Sequence, residues 1–212
     1  GVVCALLEAQ KSAKGQVVDA AMVDGTATLT GMFFSMQQTG MWNDERGTNM
    51  LDTGSHYYET YETSDGKWVS IGSMEPQFYA ELVERTGVDP ELFKPQVDPS
   101  SWDACKAELT RVFKTKTRDE WCEIMEGSDV CFAPVLNLID AANHPHNKAR
   151  NSYQTVGGML QQSPAPRFSR TQAAEIVPPR VPGEDTVAVL ADYGFTEEEI
   201  VLLTSADVVA GK

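Results

Sequence analysis

Hydrophobic and polar positions along this chain repeat with two different periods, and the changes between them mark its elements. Residues 1 to 10 have the spacing of the end of a helix, and "KSAKGQVVDAAM" then predicts a glycine turn followed by an apolar, β-branched strand. From Val23 to Thr39 the spacing is helical, with Leu29, Met32, Phe33 and Met36 on one face and Gly40 as the stop. The clearest local pattern is "HYYETYETSDGKWVSIGSM". Two strand-like runs flank Asp65-Gly66, a dipeptide that supplies the positive φ of a hairpin turn.

A helix over "PQFYAELVERTGV" follows, with Pro76 in its first position and Gly87 past its end. "DACKAELTRVFKT" and "TRDEWCEIMEG" predict two more, the second opened by a capping box of Thr117 and Glu120. "VCFAPVL" reads as a short buried strand, so residues 55 to 140 predict mixed α+β content around one hairpin. After "NLIDAANHPHNKARN" periodicity is lost, and "QQSPAPRFSRTQAAEIVPPRVPGED" predicts an extended connection between two bodies. Two short helices close the chain, the first ended by Gly194 and the second capped by Thr196 with Glu199.

One carboxylate stands out in this pattern. Glu75 lies where the apolar run "VSIGS" stops and the next helix begins. As a helix N-cap it would be favoured by the exposed N–H groups of the first turn. Capping does not account for the strand that delivers it to a sheet rim, a frequent place for a catalytic group. Both readings stand on the sequence. Methionine offers a second choice, because Met22, Met32, Met36, Met41, Met50 and Met74 crowd the first third of the chain. They could fill a core with adaptable side chains, or form a slippery apolar surface for an acyl chain that has to move.

Composition narrows the classes. The 212 residues are 42% hydrophobic and 23% charged, as in a globular protein, and no apolar run approaches the roughly 20 residues of a membrane span. The opening residues lack the pattern of a signal peptide, and a first residue Gly1 instead of Met predicts the C-terminal piece of a longer protein. A net charge of −14 disfavours nucleic acid and anionic membrane as partners, and any phosphate-gripping cluster has to be local or lie elsewhere. Cys4, Cys105, Cys122 and Cys131 show no CxxC spacing and no N-glycosylation acceptor is present, which predicts buried free thiols in a reducing cytoplasm. Phosphate-loop, dinucleotide, nucleophile-elbow and zinc motifs are missing, and His144 and His146 lack partners at metal spacing, so neither a metal nor a cofactor is expected.

The stretches "AKGQVVDAAMVDG", "GMW", "RGTNMLDTG", "YYETYETSDGKWVSIGSMEPQFY", "APRFSRT" and "GEDTVAVLADYGFTEEEI" occur in this order along nearly the whole chain. Together they resemble the class III CoA-transferase family, and "EPQFY" after a hairpin resembles its racemase branch, whose members epimerise the α-carbon of 2-methylacyl-CoA thioesters. The resemblance implies an α/β fold in which residues 1–22 end a large Rossmann-like domain and 23–54 form a linker helix and loop. Residues 55–143 then form a small α+β domain, 144–183 an extended linker, and 184–212 helices returning to the large domain.

It further implies that the CoA-gripping bases and the proton-shuttling His and Asp lie in an N-terminal part outside this sequence, and that two subunits interlock as a homodimer. Acyl-CoA is then the substrate, with coenzyme A part of it. Carried over by position, Glu75 matches a glutamate that hydrogen-bonds the catalytic histidine. Tyr58 and Met50 match residues near the acyl pocket, and Met22, Met32, Met36 and Met41 match a methionine surface. His56 stands where relatives often carry proline or a small residue, and its two tyrosine neighbours make it either a pocket residue or a surface one, the surface being preferred. Two alternatives remain: a CoA-transferase working through an aspartyl thioester, or a dimerisation and acyl-pocket module that is inactive by itself.

Overall fold

The computed structural model describes residues 1–210. In chain order the elements are helices α1 (Val2–Ser12), α2 (Met22–Leu29) and α3 (Gly31–Gln38), strands β1 (Tyr58–Glu62) and β2 (Trp68–Gly72), helices α4 (Pro76–Thr86), α5 (Pro99–Phe113) and α6 (Arg118–Met125), and strand β3 (Phe132–Val135). There follow α7 (Leu138–Asn143), α8 (Pro145–Ala149), β4 (Tyr153–Val156), β5 (Met159–Gln162), α9 (Thr186–Asp192) and α10 (Glu197–Ser205). Contacts group the chain into two units that divide after Val135.

In the first unit β1, β2 and β3 form an antiparallel sheet in that order, with Tyr61 opposite Val69 and Ile71 opposite Phe132. Side chains alternate across a strand, so Tyr61, Val69 and Ile71 face one way into the core. α5 closes over them because its apolar residues recur on one stripe, burying Trp102, Cys105, Leu109, Val112 and Phe113. α4 adds Tyr79 and Leu82, and α6 adds Trp121 and Met125. Phe113 is the hinge of the aromatic packing, stacked on Tyr61 at 5.1 Å and edge-on to Trp121 at 5.0 Å between ring centres.

Local chemistry sets the element ends. Asp98 caps α5 through Ser100 N–H at 3.0 Å, and the box of Thr117 and Glu120 opens α6 as its sequence predicts. The β1–β2 connection is a hairpin with Gly66 at φ 72°, although its loop is longer than a two-residue turn: Thr63 N–H donates to the Lys67 carbonyl at 2.8 Å. A hydrogen bond from the Thr63 hydroxyl, with that of the Arg118 N–H and the charge of Lys67, holds the Asp65 carboxyl well below the usual carboxylate range.

Several expectations are corrected. "KGQVVDAA" has no regular structure and is not a strand, because among the described residues no neighbouring strand pairs with it, and Met22 opens α2. The helix expected over residues 23–39 is two helices, broken at Thr30, whose hydroxyl bonds back to the carbonyls of Thr26 and Ala27 and competes with the backbone. His56 is not at the surface: it is 0% exposed, its Nε2 lies 2.7 Å from the Tyr79 hydroxyl, and the rings of Tyr57, Tyr79 and Phe93 surround it edge-on. Of the four thiols, all free, only Cys105 is buried, while Cys122 is half-buried and Cys4 and Cys131 are exposed.

In the second unit β4 and β5 form a hairpin where the sequence loses periodicity, turning on Gly157 and Gly158, both with positive φ. α7 and α8 occupy "LIDAAN" and "PHNKA", residues 163–181 run without regular structure, and α10 carries the predicted capping box of Thr196 and Glu199. α9 ends before Gly194, at φ 90°.

Candidate functional site

Glu75 is reached along a strand whose end is tightly tied. β2 stops at Gly72, whose N–H donates to the Cys131 carbonyl at 2.9 Å, and the buried Ser73 hydroxyl donates to the Val130 carbonyl at 2.5 Å. Pro76 then opens α4, where a missing N–H costs nothing. Glu75 occupies the N-cap position with φ −72° and ψ 143°, yet its carboxylate accepts no hydrogen bond from the first turn. Its backbone carbonyl receives the Tyr79 N–H at 2.9 Å, so the helix starts without the side chain. The carboxylate is exposed. Glu75 thus takes the N-cap position that the sequence predicts, without a side-chain hydrogen bond to the first turn.

The sheet face opposite the core carries Tyr58, Thr60, Ser70, Gly72 and Ala133. Mostly small side chains there leave a cavity of about 390 Å³, walled further by Leu51, Cys131 and Phe132. Tyr58, 41% exposed, lies along it, its ring about 3.5 Å from where a Cβ on Gly72 would stand. Cys131, in the left-handed region at φ 55°, borders both features: burial first, then the charges of Glu75 and Asp129, push its thiol pKa up. Glu75, Cys131 and Tyr58 thus gather at one end of the three-stranded sheet.

The wall that bears Leu51 is a polar knot. The Asn49 amide, buried, accepts from Asn43 N–H at 2.9 Å and donates to the Asp52 carboxylate at 2.7 Å, which itself accepts from the backbone N–H groups of Asn49 and Gly47. Burial works to raise the Asp52 pKa, but those hydrogen bonds outweigh it and leave the carboxyl below its ordinary value. Gly54 is required here, since a Cβ would fall 2.4 Å from the Asn49 carbonyl oxygen. The stretch "RGTNMLDTG" folds this way locally, and it sets Met50 against the core and Leu51 on the cavity.

The other methionines lie elsewhere. Met22, Met32 and Met41 are 89%, 54% and 60% exposed, and Met36 is half-buried. They do not fill a core, and none of them lines the cavity beside Tyr58. Among the described residues no cluster of three or more His, Cys, Asp or Glu could hold a metal ion, and no helix is long and apolar enough to cross a membrane. Sequence reasoning passed over Ser73 and Gln96, which hold the backbone before Glu75. Only their type signals them, a hydroxyl and an amide near a strand end, because their partners are far along the chain.

The chain is similar to known proteins. The chain is 43% identical over 212 residues to alpha-methylacyl-CoA racemase of Mus musculus, covering 99% of this chain and 55% of the mouse protein. The Homo sapiens alpha-methylacyl-CoA racemase is 38% identical with the same coverage, 99% and 55%. The chain therefore spans about half the length of the curated relatives it matches. Its fold is that of the crystal structure of Rv3272 from Mycobacterium tuberculosis, with a TM-score of 0.63 at 19% identity over 88% of this chain and 49% of that one. The family model of CoA-transferase family III matches residues 1–186, and the chain belongs to that family.

Proposed function

We propose that this chain is the small-domain half of an enzyme that epimerises the α-carbon of 2-methylacyl-CoA thioesters, with Glu75 facing the catalytic histidine of an N-terminal half. The observation that carries this reading is a carboxylate fixed at a strand end and not spent on the helix it precedes. The two relatives named alpha-methylacyl-CoA racemase support the choice of reaction.

The chemistry gives the arrangement a purpose. A base removes the α-proton, the C–H electron pair moves onto the thioester oxygen as an enolate, and an acid on the other face returns a proton to carbon. Glu75 would fix the tautomer of the histidine on one face and favour its charged form after it has taken the proton. Tyr58 and the cavity beside it, with Met50 behind, would seat the acyl group near the α-carbon. The exposed Met22, Met32, Met36 and Met41 would offer the rest of the chain a surface on which it can shift between epimers. Such a site calls for the interlocked homodimer that the resemblance implies, and the unpaired thiols suit the cytoplasm.

The test uses the complete protein in D₂O with one epimer of a 2-methylacyl-CoA, followed by ¹H NMR. Loss of the α-proton signal with loss of stereochemistry is expected, and Glu75→Gln is expected to slow both by about 10- to 1000-fold. Transfer of CoA to an added carboxylate without α-exchange would replace this reading with a CoA-transferase.

A further inference from the structure

The peptide planes on both sides of Glu75 are pinned, each by a different device. Its own carbonyl is held by the first turn of α4. The plane before it contains the Met74 carbonyl, the Glu75 nitrogen and the Glu75 Cα, so holding that oxygen together with the Glu75 carbonyl fixes the Glu75 backbone and with it the direction of the Cα–Cβ bond. That oxygen accepts the side-chain amide of Gln96 at 2.7 Å, and the same nitrogen lies 3.2 Å from the Ser73 carbonyl. An amide NH₂ has two hydrogens, and here one side chain satisfies two successive carbonyls.

Gln96 is itself anchored. Its backbone carbonyl accepts from Trp102 Nε1 at 3.1 Å, and Trp102 belongs to the core stripe of α5. Ser73 closes the other side through Val130. The turn that presents Glu75 is thus clamped between the base of α5 and the start of β3, and Glu75 has no side-chain cap bond of its own to correct a misplaced backbone.

We propose that Gln96 is a positioning residue for Glu75: by holding the Met74 and Ser73 carbonyls it fixes the backbone from which the carboxylate projects. The inference rests on the role given to Glu75 above. Neither a hydroxyl nor a carboxylate at position 96 could do the same, since the first has one hydrogen and the second would set negative oxygens against two carbonyls.

Gln96→Met in the complete protein tests it, since methionine keeps the length and packing and lacks the donors. The exchange kcat is expected to fall about tenfold with KM within about twofold, because alignment is lost and substrate binding is not. Gln96→His, which retains a ring N–H, is expected to recover part of the rate. In a Glu75→Gln background Gln96→Met is expected to cost nothing further, a non-additivity that general loosening of the domain would not produce. A wild-type kcat in Gln96→Met, or a loss that multiplies in full with that of Glu75→Gln, overturns the inference and leaves the role of Glu75 standing. If Glu75→Gln itself exchanges at the wild-type rate, the role of Glu75 fails and that of Gln96 with it. If Gln96→Met does not fold, Gln96→Leu, which also lacks the donors, carries the same comparison.

Discussion

Residues 55 to 135 and residues 1 to 41 are both rich in apolar side chains, yet they use them in opposite ways. Helix α5 alone buries five residues, and the sheet, α4 and α6 contribute to the same cluster. Helices α1, α2 and α3 bury none. The helix stripe is present in both regions, so periodicity reports which face is apolar and says nothing about what covers it. Residues 55 to 135 supply their own cover. Under the function proposed above, the methionine face of α2 and α3 waits for a substrate chain and for the rest of the enzyme.

This contrast can be broken most sharply in the core. Phe113→Ala removes a ring that is 0% exposed and touches both Tyr61 and Trp121, and about 3–5 kcal/mol of stability is expected to go with it, read as a lowered urea midpoint. If the midpoint barely moved, the aromatic cluster would not be what holds the domain.

His56 comes next in size. Burial first, and the nearby Lys106 charge second, lower its pKa from 6.5 to about 4, with Tyr57, Tyr79 and Tyr61 around it un-ionised. The unfolded chain takes up a proton near pH 6.5 that the folded chain refuses, so stability is whole above that pH and is lost as pH falls toward about 4. The difference amounts to about 3 kcal/mol. Urea midpoints measured across this window are expected to fall in the wild type and to fall less in His56→Gln. Equal slopes would place the acid sensitivity in other groups.

The smallest effect belongs to the other region. Met22→Ala is expected to change the stability of this chain by less than about 0.5 kcal/mol, because the side chain is 89% exposed, and, under the function proposed above, to be read instead as a raised KM for long acyl substrates. A cost comparable to that of Phe113→Ala would mean that the two regions are not different in kind.

Legibility followed the range of the forces involved. The hairpin at Gly66 and the capping boxes of Thr117 and Thr196 were readable because a few adjacent residues decide them. The turn at Gly157 and Gly158 had an equally local sign, two glycines between Val156 and Met159, that went unread. The burial of His56 could not be read, since it depends on Tyr79 twenty-three positions away. The same holds for Gln96, whose carbonyl partners lie 23 and 22 positions before it. The strand expected near Val17 failed for a related reason: β-branched residues favour a ladder only where a second strand is present. The N-cap position of Glu75 was readable from its neighbours in sequence, while the missing side-chain cap bond is visible only in the structure.

The hydrogen bond from Ser73 to the Val130 carbonyl also sets a schedule. Its partners are 57 residues apart, and at roughly 5–20 residues per second a ribosome needs roughly 3–11 s to make that much chain. During that interval the hairpin can already pair, but the turn bearing Glu75 hangs from an unfinished sheet. A nascent chain halted before Val130 would already hold Gln96 but not the partner of Ser73, so the second of the two ties beside Glu75 can form only when the chain has reached residue 130.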